Sequence, residues 1–134
     1  MDISEIEVRI NNSQIFGYLQ LCQIPEVSGI YFAWLEGETR CFYIGKAGNI
    51  KKRIRDHFSG QRGSDQFCLY VYDRYIHHKR CLSDENMTTK QVNEMTAEWI
   101  KKKIKFQCVE ISSQEAESAE RYLKLKMKPI LFDS

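Results

Sequence analysis

The stretch "FYIGKAGNIKKRIRDHF", residues 42 to 58, brings a tyrosine, a lysine, an arginine and a histidine around one corner of the chain. Tyr43 ends an aromatic and β-branched run, Gly45 permits a sharp turn, and Lys46, Arg53 and His57 follow. A site that hydrolyses a phosphodiester needs a base for water, positive charge for the nonbridging oxygens, and relief for the leaving oxygen. Arginine meets the second need, because its planar fork matches phosphate oxygens bidentately and never loses its charge. A carboxylate that holds Mg²⁺ meets the third, and the ion also positions water. Tyrosine, with an ordinary pKa of about 10, becomes a useful base only where a cation lowers that value. Lys46, three residues past Tyr43 across the turn, is expected to be that cation.

Helical phase decides which bases point inward. At about 100° per residue, a helix after Asn49 puts Ile50, Ile54 and Phe58 in one stripe, with Arg53 and His57 on its edge. Lys51, Lys52 and Arg55 turn the other way. Two readings fit the inward pair: polar tips that snorkel from the rim of a core, or side chains aimed at a ligand. The last helix shows the same oddity with the opposite sign. Ala116, Ala119, Leu123 and Met127 form its apolar stripe, and Glu120 lies inside it while Glu115 and Glu117 lie outside. A carboxylate facing a core needs a partner, since an unpaired buried charge costs several kcal/mol or is neutralised. Arg53 or a bound divalent cation would serve.

The elements that must position these residues follow from pattern. "SEIEVRI" alternates Ile6, Val8 and Ile10 with polar residues, the period of a half-buried strand, and "SQIFGYLQLC" reads as a short helix. "GIYFAWL" and "RCFYIG", separated by "EGET" with Gly37 for a turn, read as a hairpin carrying Tyr31 and Tyr43 on its two strands. Asn49 is an N-cap for a helix over residues 50 to 59. "FCLYVYD" reads as a third strand with apolar residues on both faces, and "DRYIHHKRCLSDENM" as a loop. The adjacent His77 and His78 in that loop point in different directions on any regular element, a poor arrangement for one metal ion. "KQVNEMTAEWIKKK" spaces Val92, Met95 and Trp99 as a core-facing helix, "KFQCVEI" is a short strand, and "SSQEAESAERYLKLKMK" is a final helix with Ser112 and Glu115 as a capping box. Pro25 and Pro129 stand where elements break.

At 134 residues, 43% hydrophobic and 28% charged, the chain reads as a single globular domain over residues 1–134 with no room for a second module. Its apolar runs fall far below the roughly 18 to 20 residues that span a bilayer, and the acidic start "MDISEIE" lacks a signal peptide's basic region. A cytoplasmic location is the expectation. Cys22, Cys41, Cys68, Cys81 and Cys108 form no C-x-x-C pair and read as reduced, mostly buried small hydrophobes. The formal charge of +2 conceals an asymmetry: residues 1 to 45 carry six acids against two bases, and residues 46 to 134 twelve against eighteen. Between 46 and 62, Lys46, Lys51, Lys52, Arg53, Arg55 and Arg62 face only Asp56. Such a run is either a solvated helix face or a surface for a phosphate backbone, with Lys51, Lys52, Arg55 and Arg62 as its contacts.

"GIY" at 29 to 31, "YIG" at 43 to 45, the basic run with Arg53 and His57, and Glu120 nine residues before Pro129 together resemble the GIY-YIG nuclease superfamily. The likeness runs from about residue 24 to 130, leaving a strand-and-helix extension over 1–23. It implies an α+β fold, a small central antiparallel β-sheet flanked by helices, and an endonuclease that cuts nucleic acid with one divalent ion, Mg²⁺ or Mn²⁺. By resemblance Tyr31 and Tyr43 shape the water-activation site, with Tyr43 preferred as base. Lys46 assists, Arg53 stabilises the phosphate, His57 orients or exchanges protons, and Glu120 binds the metal. DNA is the first substrate to consider, with RNA second, and a homodimer is one route to cutting both strands. The alternative is a module of the same fold that grips nucleic acid without cutting. The family often carries an asparagine after the proline that follows the glutamate helix, where this chain has Phe132 and then Asp133. "DRYIHHKRCLSDENMTTK" is the candidate segment for substrate contact.

Overall fold

Seven nearly unbroken apolar and aromatic residues form the central strand β1 (Gly29–Leu35), which is buried throughout except at the half-buried Trp34. Such a strand needs cover on both edges and both faces. Its edges are met by β2 (Tyr43–Ala47) and β3 (Ile104–Glu110), both antiparallel, in the order β2-β1-β3. The expected hairpin is present, and Gly37 takes a left-handed φ of 87° in its turn. The structure, a computed structural model, describes residues 2–77 and 87–131.

Among those residues the α-helices are α1 (Ile3–Asn12), α2 (Ile50–Phe58), α3 (Gln66–Val71), α4 (Thr89–Lys103) and α5 (Ser113–Met127). A turn of 3₁₀-helix lies at Tyr18–Gln23, and α3 runs on into a π-helical turn at Tyr72–Ile76. Strand alternation divides the core in two. Ile30, Phe32, Ile44 and Val109 pack with Ile6 and Ile10 of α1 and with Ala116, Ala119 and Leu123 of α5. On the other face Tyr31, Ala33, Tyr43 and Phe106 pack with Ile50, Ile54 and Phe58 of α2, Phe67 of α3 and Ile100 of α4. The fold is therefore a three-stranded antiparallel sheet between two helical layers.

Helix ends follow local chemistry. The Asn49 side chain accepts from the Lys52 N–H at 3.1 Å to start α2, and Thr88 forms a reciprocal capping box with Gln91 on α4. Ser112 is the N-cap of α5, but its hydroxyl makes no cap bond, so the expected box with Glu115 does not form.

Two expected strands are helices. In α1, Ile6 and Ile10 are four residues apart, a spacing that fits a strand's alternation and a helix face equally well. Val8 separates the two: it is 57% exposed while Ile6 and Ile10 are buried, because the chain is wound. Asp2 caps this helix by accepting from the Ser4 N–H, and Glu5 pairs with Arg9 one turn on. In α3, Phe67, Cys68, Val71 and Tyr72 are buried at helical spacing, and Asp65 caps the first turn. The helix predicted from residue 13 is shorter than expected, since Phe16 bridges to Phe106 of β3 before the 3₁₀ turn. Within α4, Val92 is buried and Met95 and Trp99 pack partly buried against the core.

Cys41 and Cys68 are buried, Cys108 is half-buried and Cys22 is exposed, all as free thiols, while Cys81 lies outside the described residues. His77 faces the Tyr72 hydroxyl through Nδ1 at 3.4 Å, and His78 also lies outside. No described helix is long and apolar enough to cross a membrane.

The winding of α1 is testable by urea unfolding. Ile6→Ala should cost about 2–4 kcal/mol, whereas Val8→Glu should change stability by less than about 0.5 kcal/mol. Equal losses at the two positions would restore the strand.

Candidate active site

Tyr31 stands in the middle of the central strand, and the register pairs it with Gly45 while Ala33 faces Tyr43. Both tyrosines therefore point to the α2 side of the sheet, with ring centroids 6.1 Å apart. A Cβ at position 45 would overlap the Tyr31 phenol at its Cζ and hydroxyl, so glycine there leaves the space in which the ring lies. The helix α2 then delivers Arg53 and His57 to the same place. Ile50, Ile54 and Phe58 bury its apolar stripe, His57 goes inside with them at 0% exposure, and Arg53 stays half-buried at the rim.

A continuous polar contact results. The Tyr31 hydroxyl lies 2.7 Å from His57 Nε2, and His57 Nδ1 lies 2.8 Å from Asp65 Oδ2. Asp65 Oδ1 in turn accepts from the Phe67 and Cys68 N–H groups at 2.9 and 3.3 Å, which fixes the carboxylate to the start of α3. Phe67, Tyr43 and Phe106 enclose the imidazole, with centroids at 4.5, 5.9 and 6.2 Å. Arg53, half-buried at the rim, is a nearby positive charge that favours ionisation of the Tyr31 phenol.

Protonation follows from this enclosure. Burial, reinforced by Tyr43, pushes the Tyr31 phenol well above its ordinary value, with Arg53 opposing. Burial also holds His57 below its ordinary value, although the hydrogen bond to Asp65 pulls the other way. For Asp65 burial is again the largest influence and acts upward, but contact with His57, the charge of Arg53 and the Cys68 N–H together outweigh it and hold the carboxyl low.

Lys46 does not follow Tyr43. Its cross-strand partner is Ile30, on the α5 side, and its Nζ lies 3.9 Å from Glu117 Oε2 on α5. Residues three apart on a strand face opposite sides of the sheet, which is the physical reason the expected Lys46–Tyr43 coupling is replaced. The cation set over the Tyr43 ring is Lys124 of α5, with Nζ 6.0 Å from the centroid. The same Nζ lies 3.9 Å from Glu120 Oε1, so Glu120, with its side chain 18% exposed, pairs with Lys124 rather than Arg53.

Among the outer bases, Lys52 and Arg55 are exposed. Lys51 Nζ donates to the Cys22 carbonyl at 3.2 Å. Arg62 is built into packing instead: its Nε donates to Asn93 Oδ1 at 3.0 Å and its guanidinium lies 4.5 Å over the Tyr72 ring. The expectation of a nucleic-acid contact at Arg62 thus meets a side chain already engaged. Phe132, Asp133 and residues 78–86, half of the segment "DRYIHHKRCLSDENMTTK", lie outside the described residues.

Among the described residues no three His, Cys, Asp or Glu side chains converge to hold a metal ion. Glu120 alone, a hard oxygen donor, suits an ion that retains most of its waters, as Mg²⁺ does. Two site residues escaped the sequence reading. Asp65 directly precedes an apolar run, the signature of an N-cap, and Lys124 stands one helical turn beyond Glu120.

A buried tyrosine, histidine and aspartate in hydrogen-bonded series, with an arginine half-buried at their rim, mark the candidate site. Residues 20–132 match the GIY-YIG catalytic domain, and the chain belongs to that family. Its structure is similar to the GIY-YIG N-terminal endonuclease domain of UvrC from Thermotoga maritima. With the magnesium-bound form the identity is 19%, over 87% of this chain and 93% of that one, at a TM-score of 0.42. With a point mutant bound to its catalytic divalent cation the values are 18%, 84%, 89% and 0.45. No curated protein sequence matches the chain.

Gly45→Ala should destabilise the fold by about 1–3 kcal/mol, and most of that loss should vanish in a Tyr31→Ala background. A double-mutant cycle reads the coupling, and equal costs in both backgrounds would detach the glycine from the phenol.

Stability should also depend on pH. Below the ordinary histidine value of 6.5 the unfolded chain binds a proton that native His57 refuses, so stability falls as pH drops. Asp65, held below 3.8, extends the loss further into acid. Denaturant titrations at about pH 7.5, 6 and 5 should show the decline, and His57→Gln should flatten its upper part.

Proposed function

We propose that this chain is a divalent-metal-dependent endonuclease that hydrolyses phosphodiester bonds in nucleic acid, with DNA as the first substrate. The observation that carries the reading is the buried contact of the Tyr31 hydroxyl with His57, beside the half-buried guanidinium of Arg53. A phosphate held by that guanidinium lies beside the Tyr31 oxygen, with its nonbridging charge met by a fork of N–H donors.

Tyr31, not Tyr43, is the base in this reading, because its own proton has an acceptor at His57 Nε2, 2.7 Å away. A phenol with a raised pKa is a poor phenolate at neutral pH, but it can take a proton from water while passing its own onward. Tyr43 packs over the pair, 7% exposed, and excludes bulk water. Lys124 places positive charge beside Tyr43 and Glu120, and Lys46 extends that charge along the edge of β2. Glu120 is the residue that would hold the metal, whose chemistry is to position water and offset charge on the leaving oxygen. The exposed Lys52 and Arg55 attract the backbone at a distance.

The test uses supercoiled plasmid with Mg²⁺. Wild type should nick it and chelator should stop the reaction, while Arg53→Ala and Glu120→Ala should each lose roughly 10²–10³-fold in rate. If wild type cuts no better than these variants on any DNA or RNA offered, the enzyme reading fails. Salt-dependent binding without product would then favour the non-cutting module.

A further inference from the structure

The buried contact from Tyr31 through His57 ends on Asp65, and its direction follows from the chemistry of that residue. Asp65 is 4% exposed, and each of its two oxygens has a separate task. Oδ1 accepts from two backbone N–H groups at the start of α3, while Oδ2 faces His57 Nδ1 at 2.8 Å. A carboxylate only accepts, so Nδ1 must carry the proton of this bond. The imidazole, fully buried and held neutral, then has no proton on Nε2, and Nε2 is the acceptor of the Tyr31 O–H.

We infer that Asp65 is a positioning residue of the nuclease site: it fixes the tautomer of His57 that lets Tyr31 give up its proton. The inference rests on the nuclease reading above. In the step it serves, water transfers a proton to the Tyr31 oxygen as Tyr31 transfers its own to His57 Nε2. The hydroxide forms the new P–O bond as the bond to the leaving ester oxygen breaks. The resulting imidazolium has both N–H groups partnered, one by Asp65 and one by Tyr31. Because the same carboxylate caps α3, the helix itself sets the position of Oδ2.

That double task makes Asp65→Asn a directed test. The two backbone N–H donors of α3 require an acceptor, so they hold the amide oxygen and leave the amide N–H₂ facing His57. Nδ1 must then accept, Nε2 carries the proton, and Tyr31 loses its acceptor. Nitrogen-15 spectra of histidine-labelled protein, assigned by the signal missing in His57→Gln, should show the Nδ1–H tautomer in wild type and Nε2–H in Asp65→Asn. Plasmid cleavage should lose roughly 10²–10⁴-fold in kcat, with KM and the melting midpoint nearly unchanged. An Nε2–H tautomer in wild type overturns the proposal, as does full cleavage by Asp65→Asn with the nuclease reading left intact. A wild type that cuts nothing overturns the nuclease reading and this proposal together. Should Asp65→Asn not fold, the wild-type tautomer and the kcat of Asp65→Ser, which keeps a cap oxygen and removes the His57 contact, decide it by the same criteria.

Discussion

A hydroxyl and an imidazole nitrogen 2.7 Å apart, sealed between the central strand and α2, form the contact on which the rest of this structure depends. Both residues are essentially without solvent, Tyr31 at 1% and His57 at 0% exposure. In such a place a polar atom left without a partner costs about 1–3 kcal/mol. Each atom of the series therefore demands the next: Tyr31 needs His57, His57 needs Asp65, and Asp65 spends its remaining oxygen on the first turn of α3. The requirement fixes more than side chains. It sets the depth at which α2 lies against β1 and the point at which α3 must begin. The aromatic wall of Phe67, Tyr43 and Phe106 strengthens the constraint by keeping water away from the imidazole.

The sheet also divides the chemistry between two layers. Tyr31, Tyr43, Arg53 and His57 belong to the layer of α2, whereas Glu117, Glu120 and Lys124 come from α5 on the opposite face. A three-stranded sheet brings them together because β2 is an edge strand, so side chains from both faces reach around the same border. Lys124 is the visible link, beside Glu120 on its own helix and over the Tyr43 ring from the other layer. Polar groups built on separate layers hold their spacing only while both helical layers stay packed. The buried interior of β1 therefore serves the site as directly as any charged residue. Gly45 is the clearest sign of that tension, since the ladder and the Tyr31 ring compete for the volume a Cβ would fill.

How much of this was legible in the sequence depended on whether one period or two could describe a segment. In α2 only the helical period fits, so Arg53 and His57 were correctly placed on the inner edge and Lys52 and Arg55 outside. Glu120 was likewise set at the buried stripe of α5, although its partner Lys124 was not seen. In α1 two isoleucines four apart satisfied both periods, and the exposed Val8 was mistaken for a third inward residue. The error with the larger consequence was at "FCLYVYD". Its density of apolar residues suggested a strand covered on both sides, but the run is buried at helical spacing. Read as a strand, the segment has no use for an aspartate before it. Read as a helix, it needs an N-cap, and the buried cap also meets His57. Missing the helix therefore hid a site residue: the local signal at Asp65 gave half of its role, and the other half comes from a histidine eight residues earlier that only the folded chain sets against it.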